Sequence, residues 1–167
     1  MKRVLVAVCI LALSGCTGWW LGEMGYDPQF ESIPHPVSST IGGDATPEGI
    51  GKWLGSHIRR SKDIERQQRA EYWAPPDLTW LERSGDCEDI ALLMMYLIRW
   101  ETGEYPSLAT GIDGDTPHAW VIFGGRWYEA QGGADVTDSP ERTLWRSVPY
   151  GEAMYRSMNG HKGLAHE

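Results

Sequence analysis

Residues 85–98 read Gly-Asp-Cys-Glu-Asp-Ile-Ala-Leu-Leu-Met-Met-Tyr-Leu-Ile. The second half of this stretch is apolar on nearly every side of a helix, a pattern typical of a helix at the centre of a domain. A glycine-containing turn precedes it, and Gly103 follows it as a helix stop. The sequence therefore predicts a buried helix over residues 87–102, with Cys87 in its first turn.

Cys87 stands at a helix end where thiols can gain reactivity. Free amide N–H groups and the helix dipole concentrate positive potential at a helix N-terminus, which lowers the pKa of a thiol. Asp86, Glu88 and Asp89 act in the opposite direction unless they cap the helix or face water. Because free cysteines are also common as inert core residues, Cys87 alone leaves a reactive and a structural interpretation open.

A histidine 31 positions after Cys87 favours the reactive interpretation. His118 opens an apolar stretch, residues 119–123, that predicts a strand. The intervening helix and a further predicted strand, residues 108–112, allow the chain to bring the two side chains together. A lone histidine is more often structural, but a cysteine with a histidine close in space is the minimum for thiol catalysis.

The strand 119–123 and a second predicted strand, 126–131, are separated by two glycines, which indicates a two-residue hairpin. In that register Gln131 faces His118, and Glu129 lies one diagonal away on the same side. We therefore expect Gln131 to orient the imidazole and fix its tautomer, with Glu129 as the alternative. Simple pairing across the hairpin is an equal interpretation of Gln131, and a one-residue slip would turn both residues away.

Helices are also predicted elsewhere in the chain. Thr46 and Pro47 are typical of a helix start, as a cap residue followed by proline at the first helical position. Residues 77–83 predict a short helix, and residues 139–145 a short helical segment. Residues 18–44 show neither a helical nor a strand period.

The N-terminus is typical of an export signal. A short basic start precedes an uncharged run, residues 4–13, which is too short to span a bilayer as a helix. Residues 13–16, Leu-Ser-Gly-Cys, resemble the lipobox of bacterial lipoproteins. We therefore predict a signal peptide over residues 1–15 and lipidation of Cys16. An ordinary secretory signal with a chance cysteine is the alternative.

Removing residues 1–15 from the 167 leaves 152, enough for one domain with its own core. We predict a tether or extended arm over residues 16–45 and a single domain over residues 46–167. Loss of two basic residues moves the formal charge from -8 to -10, which disfavours nucleic acid as a partner. If Cys16 carries lipid, Cys87 is left without a partner for an internal disulfide.

Three motifs resemble the transglutaminase-like superfamily: residues 72–76 (Tyr-Trp-Ala-Pro-Pro), residues 85–91 (Gly-Asp-Cys-Glu-Asp-Ile-Ala) and residues 118–121 (His-Ala-Trp-Val). The nearest branch is similar to the bacterial transglutaminase-like cysteine proteinases, which include calcium-dependent periplasmic proteases that act on biofilm adhesins. The resemblance covers residues 72–132. It implies an α+β, papain-like fold in which a central helix packs on an antiparallel sheet.

By this resemblance Cys87 is the nucleophile and His118 the general base, acting through a thioester. The family's third residue is usually an Asp four positions after a Trp. Here Trp127 places Gln131 at that position. This departure implies an amide in place of the carboxylate, use of Glu129 instead, or a weakened enzyme.

The expected function is a cysteine peptidase, amide hydrolase or acyl transferase, lipid-anchored on the periplasmic or outer side of a membrane in the bacterial envelope. Its expected substrate is a protein or peptide. An inactive or weakly active binding scaffold is the alternative, favoured by the altered third residue. No cofactor is required. In the calcium-dependent relatives acids around the cysteine bind the ion, so the resemblance makes Asp86 and Glu88 candidate calcium ligands.

Overall fold

The structure, a computed structural model, describes residues 26–62 and 72–159. The predicted signal peptide, residues 1–15, and Cys16 lie outside the described residues. Among the residues that are described, no helix has both the length and the apolar character needed to cross a membrane.

The fold is a long helix packed on a four-stranded antiparallel sheet, which confirms the predicted α+β class. The strand order is β5-β4-β3-β6, and β1 and β2 form a separate parallel pair. The elements are α1 (Val37–Thr40), α2 (Pro47–His57), β1 (Arg59–Arg60), α3 (Pro76–Glu82), β2 (Ser84–Gly85), α4 (Cys87–Thr102), β3 (Ser107–Asp113), β4 (Thr116–Phe123), β5 (Arg126–Tyr128), β6 (Arg142–Pro149) and α5 (Tyr150–Met158).

Helix α4 has the predicted bounds and forms the centre of the core. The Asp86 side chain accepts a bond from the Asp89 N–H, and the Asp89 side chain accepts one from the Asp86 N–H, so the two form a capping box. Gly103 adopts the left-handed conformation and ends the helix. All side chains from Asp89 to Ile98 are buried. Because each buried apolar side chain contributes about 1.5–3 kcal/mol, this packing holds Cys87 at a defined place at one end of the core.

The predicted hairpin is confirmed in its turn and its register. Gly124 and Gly125 have φ angles of 57° and 76°, which a tight hairpin of this kind requires. Phe123 lies opposite Arg126, as expected. The prediction is wrong about the length of the second strand, because β5 ends at Tyr128 and does not continue to Gln131.

The chain leaves the sheet after β5 because residues 129–133 form a turn that closes against α2. The Gly133 N–H bonds to the Glu129 carbonyl at 3.0 Å, and the Gly132 N–H bonds to the Gly51 carbonyl at 2.9 Å. A Cβ on Gly51 would lie 2.4 Å from the Cα of Gly133. The glycines that lower the helix propensity of α2 therefore permit this close approach.

The predicted helical segment over residues 139–145 is wrong. Residues 142–149 instead form β6, an edge strand that pairs antiparallel with β3. Val148 is the only apolar residue of the strand that is buried, so the strand lacks the apolar alternation that identifies a half-buried strand in a sequence. Helix α5 follows directly, with Tyr150, Ala153 and Met154 buried against the core.

Residues 26–45, within the segment predicted as a tether or arm, pack against the domain. Phe30, Ile33 and Val37 are buried in the same apolar cluster as α4. The backbone N–H of Phe30 donates to the Tyr96 hydroxyl at 3.1 Å. The short helix α1 occurs here although the sequence shows no helical period, since its one buried residue, Val37, is held by contact with the core.

Candidate active site

Cys87 is the first residue of α4 and lies against strand β4. Its Sγ forms a hydrogen bond with the backbone of Ala119, the residue that follows His118. In that bond Sγ is the acceptor, and the thiol donates its own proton to the Glu88 Oε2 at 2.8 Å. The structure therefore brings the cysteine from the helix and the histidine segment from the sheet to the same place, as the sequence predicted.

The surroundings of Cys87 favour the protonated thiol. Burial raises the pKa of Cys87 well above its usual range, and the charges of Glu88 and Asp86 and the hydrogen bond to Glu88 raise it further. The Ala119 backbone bond lowers this pKa but does not outweigh the other causes. A thiolate at neutral pH consequently needs a proton acceptor close to Sγ.

His118 lies on β4 with its side chain largely buried. Its Nε2 is 2.8 Å from the Glu129 Oε2, and a carboxylate at that distance is the acceptor for the Nε2 proton. In the neutral ring this assigns the proton to Nε2 and leaves Nδ1 as the basic nitrogen. His118 can therefore accept a proton at Nδ1 while the carboxylate stabilises the positive charge that results.

Glu129 is held from three directions. Besides His118, its Oε2 accepts a bond from the Arg142 Nη2 at 2.7 Å, and its Oε1 accepts one from the Gln131 backbone N–H at 3.3 Å. Burial raises the pKa of Glu129, but the hydrogen bonds and charges of His118 and Arg142 outweigh it and lower the pKa to about 2. Glu129 is thus ionised at any pH near neutral.

The expected pairing of Gln131 with His118 is wrong. The Gln131 side-chain Nε2 donates to the Ile58 carbonyl at 3.4 Å instead. The cause is the early end of β5, since the turn that follows takes Gln131 out of the hairpin ladder while Glu129 still reaches the imidazole. The side chain that bonds the ring is therefore that of Glu129, which the sequence analysis gave as the alternative.

Sequence reasoning missed Arg142 and Asp113. Arg142 opens β6, and its Nη2 donates to the Asp113 Oδ2 at 2.7 Å as well as to Glu129. The two residues face each other at one end of the β3–β6 ladder. No local pattern marks Arg142, because its contacts depend on a strand pairing that the sequence did not reveal.

Asp113, His118 and Glu129 each place one ligand-type atom within 4.8 Å of the others, the arrangement closest to a metal site in the described parts of the chain. The guanidinium of Arg142 donates to both carboxylates of this group. It therefore already supplies the positive charge that a cation would bring, and the group does not fit a metal ion as arranged.

Asp86 and Glu88, the candidate calcium ligands that the resemblance implied, form hydrogen bonds within the protein. The Asp86 side chain caps α4, and the Glu88 carboxylate accepts the Cys87 thiol bond. Within residues 26–62 and 72–159 these acids do not belong to a convergent group of three ligand-type residues. Calcium ligation by Asp86 and Glu88 would require both side chains to leave these bonds.

A polar cavity of about 350 Å³ opens beside the imidazole and Glu129. Its walls are formed by Arg60, Asp113, Thr116, His118, Glu129 and Gln131. The cavity gives a bound molecule access to the His118 side of the site, and its polar walls suit hydrogen-bonding groups.

Comparison with known proteins connects the fold to solved structures. No protein-family model and no curated protein match the sequence. The structure is similar to Legionella pneumophila LapG, with a TM-score of 0.51 and 10% identity over 78% of this chain and 82% of that one. An EGTA-treated LapG structure gives the same TM-score and identity, over 78% and 81% of the two chains. A cysteine-protease candidate from Cytophaga hutchinsonii has a TM-score of 0.41 and 15% identity, covering 80% of this chain and 49% of that protein. The likeness to LapG establishes a shared fold.

Proposed function

We propose that this protein is a cysteine peptidase or related amide hydrolase or acyl transferase, with Cys87 as nucleophile and His118 as general base. The observation that carries the proposal is the meeting of two elements. Cys87 begins α4, its Sγ bonds the backbone next to His118, and the His118 ring is held by Glu129. The likeness to LapG supports the fold, and the assignment of the reaction rests on these side chains.

The chemistry follows from the protonation states of these groups. His118 Nδ1 accepts the proton of Sγ, and the thiolate attacks the carbonyl carbon of an amide. Backbone N–H groups at the start of α4 stabilise the oxyanion that develops on the carbonyl oxygen. The imidazolium returns its proton to the leaving amine as the C–N bond breaks, which leaves a thioester on Cys87. Water or a second amine, deprotonated by His118, then releases the acyl group.

Covalent labelling tests the proposal without knowledge of the substrate. A thiol-directed activity probe should label the folded protein at neutral pH. Labelling should vanish in Cys87→Ala and fall strongly in His118→Ala. His57→Ala, which alters an exposed histidine on α2, is the matched control and should label normally. Equal labelling of wild type and His118→Ala would refute catalysis by this pair.

One observation favours a second function, a binding scaffold that keeps the fold without catalysis. The Cys87 thiol is partly buried, its pKa is raised, and its bond to Glu88 stabilises the protonated form. A scaffold predicts slow alkylation of Cys87 that is indifferent to His118. The same labelling experiment therefore separates the two functions.

The proposal includes an envelope location, which the export signal supports. Residues 1–15 would be removed and Cys16 lipidated, placing the domain on the periplasmic or outer side of a membrane with access to protein or peptide substrates. The acidic charge makes nucleic acid an unsuitable partner. Mass spectrometry of the mature protein should find lipid on Cys16, and Cys16→Ser should give a form without lipid. An unmodified N-terminus at another position would contradict the anchor.

A further inference from the structure

We propose that Arg142 and Asp113 are positioning residues of this site, which hold the Glu129 carboxylate against His118 Nε2. The inference rests on the proposed function, because it assigns how the general base is oriented. It makes the site a chain of four side chains, Asp113, Arg142, Glu129 and His118, that orients the base toward Cys87.

The four side chains form one continuous set of contacts. The Arg142 Nη2 lies 2.7 Å from the Asp113 Oδ2 and 2.7 Å from the Glu129 Oε2, and that same Oε2 lies 2.8 Å from His118 Nε2. Asp113 comes from β3, Arg142 from β6 and His118 from β4, while Glu129 follows β5. The chain of contacts therefore joins residues on or next to all four strands of the sheet.

Glu129 needs such support because of where it stands. It follows the last residue of β5 and belongs to the turn at 129–133, so the hairpin ladder does not fix its direction. Its side chain also has several rotatable bonds, and free rotation would leave the carboxylate against the imidazole only part of the time. Arg142 restrains it from the sheet, and Asp113 in turn restrains the guanidinium.

The burial of Arg142 indicates more than a stabilising role. Its side chain is only 7% exposed, and its guanidinium packs over the Trp120 ring at 5.4 Å. Its Nη1 is buried without a hydrogen-bond partner in the described part of the chain. Since buried ion pairs are commonly no more stabilising than apolar side chains of similar size, stability alone gives little reason for a guanidinium here. The need to orient the Glu129 carboxylate is a reason for a guanidinium at this position.

The test compares Arg142→Met in two backgrounds, with alkylation of Cys87 at pH 7 as the measurement. Arg142→Met should slow alkylation about tenfold in wild type, a coupling of ordinary size for residues in direct contact. In a Glu129→Gln background the same change should have almost no further effect, because no carboxylate remains to be positioned. Arg142→Lys should restore part of the rate by retaining the charge.

Arg146→Met is the matched control, since Arg146 lies on the same strand but pairs with Glu152. It should alkylate like wild type. An equal slowing by Arg142→Met in both backgrounds, or no slowing in either, would overturn the inference. If Arg142→Met fails to fold, Asp113→Asn replaces it and should give a smaller slowing that also disappears with Glu129→Gln. These outcomes are separate from failure of the proposed function, which would appear as His118→Ala having no effect.

Discussion

The two sides of the site differ in how their charges are arranged. On the helix side, burial and the nearby acids Glu88 and Asp86 raise the pKa of Cys87, so the sulfur rests as a thiol. On the sheet side, Glu129 is ionised with a pKa of about 2 and contacts the base, and Arg142 neutralises part of the Glu129 charge. On the sheet side, the Glu129 carboxylate stabilises a protonated imidazole. On the helix side, the surroundings of Cys87 stabilise the thiol and oppose its loss of a proton.

This difference shows that the position of a cysteine at a helix N-terminus does not by itself make it reactive. A helix terminus stabilises a nearby negative charge by about 0.3–1 kcal/mol where the charge is exposed and by up to about 2 kcal/mol where it is partly buried, which is at most about 1.5 pKa units. Burial can shift a pKa by as much as about 3–5 units, so desolvation of Cys87 prevails. Thiolate formation must then depend on proton transfer to His118.

The largest expected effect is the loss of neutral-pH reactivity in His118→Ala. Removing a general base typically costs about 100-fold or more, and we expect a loss of that size in the alkylation rate at pH 7. Because the pKa of Cys87 is raised, the variant's rate should rise continuously with pH into the alkaline range, as thiolate forms without help. Wild type should instead keep substantial reactivity near neutrality. Parallel pH profiles for the two proteins would show that thiolate formation does not depend on His118.

The next largest effect separates Glu129 from Gln131. Glu129→Gln removes a charged hydrogen bond worth about 1.5–3 kcal/mol, so alkylation at pH 7 should slow by roughly 10- to 100-fold. Gln131→Ala removes only a side-chain bond to the Ile58 carbonyl and should change the rate little. Alkylation rates of the two variants, with folding verified by circular dichroism, decide the matter. The opposite ranking would restore Gln131 as the orienting residue.

A smaller effect of opposite sign is expected for Glu88→Gln. The change removes the charge that raises the pKa of Cys87 and weakens the bond that holds the thiol proton. The pKa of Cys87 should fall, and alkylation at pH 7 should accelerate by several fold. A fall of one pKa unit would raise the thiolate fraction about tenfold. Glu104→Gln, at an exposed position beyond the far end of α4, is the control and should leave the rate unchanged. Slower alkylation of Glu88→Gln would show that Glu88 assists the thiol.

The smallest expected effect is that of a calcium chelator. Arg142 supplies the cation of the Asp113 and Glu129 group, and Asp86 and Glu88 are held in other bonds. EGTA should therefore change neither the thermal unfolding temperature nor the alkylation rate. A loss of either that added calcium restores would return Asp86 and Glu88 to consideration as ligands on the helix side.

Local sequence patterns were enough to predict the elements that are defined by interactions between residues close in sequence. The bounds of α4 follow from its capping residues, its apolar surface and its terminal glycine, and the structure reproduces them. The hairpin register follows from two glycines at positions that require positive φ. With these elements placed, the chain allows Cys87 and the His118 segment to meet, and the motif resemblance implies that they do.

Long-range contacts decided the rest. Strand β6 is mostly exposed and lacks a periodic pattern, so only its pairing with β3 places Arg142 beside Asp113. Residues 129–131 likewise match a strand pattern, and only the contact of the following glycines with α2 turns them out of the sheet.

The sequence by itself determined the central helix and the hairpin, because periodicity, capping and turn chemistry act over a few residues. The α+β class and the pairing of Cys87 with His118 were expectations that the motif resemblance implied. Only the tertiary structure brings the Glu129 side chain, and not that of Gln131, to the imidazole, and brings Arg142 to Glu129. The physical reason is that the turn at 129–133 is held by its contact with Gly51, which is remote in sequence. Burial, a property of the whole fold, likewise decided that Cys87 rests protonated.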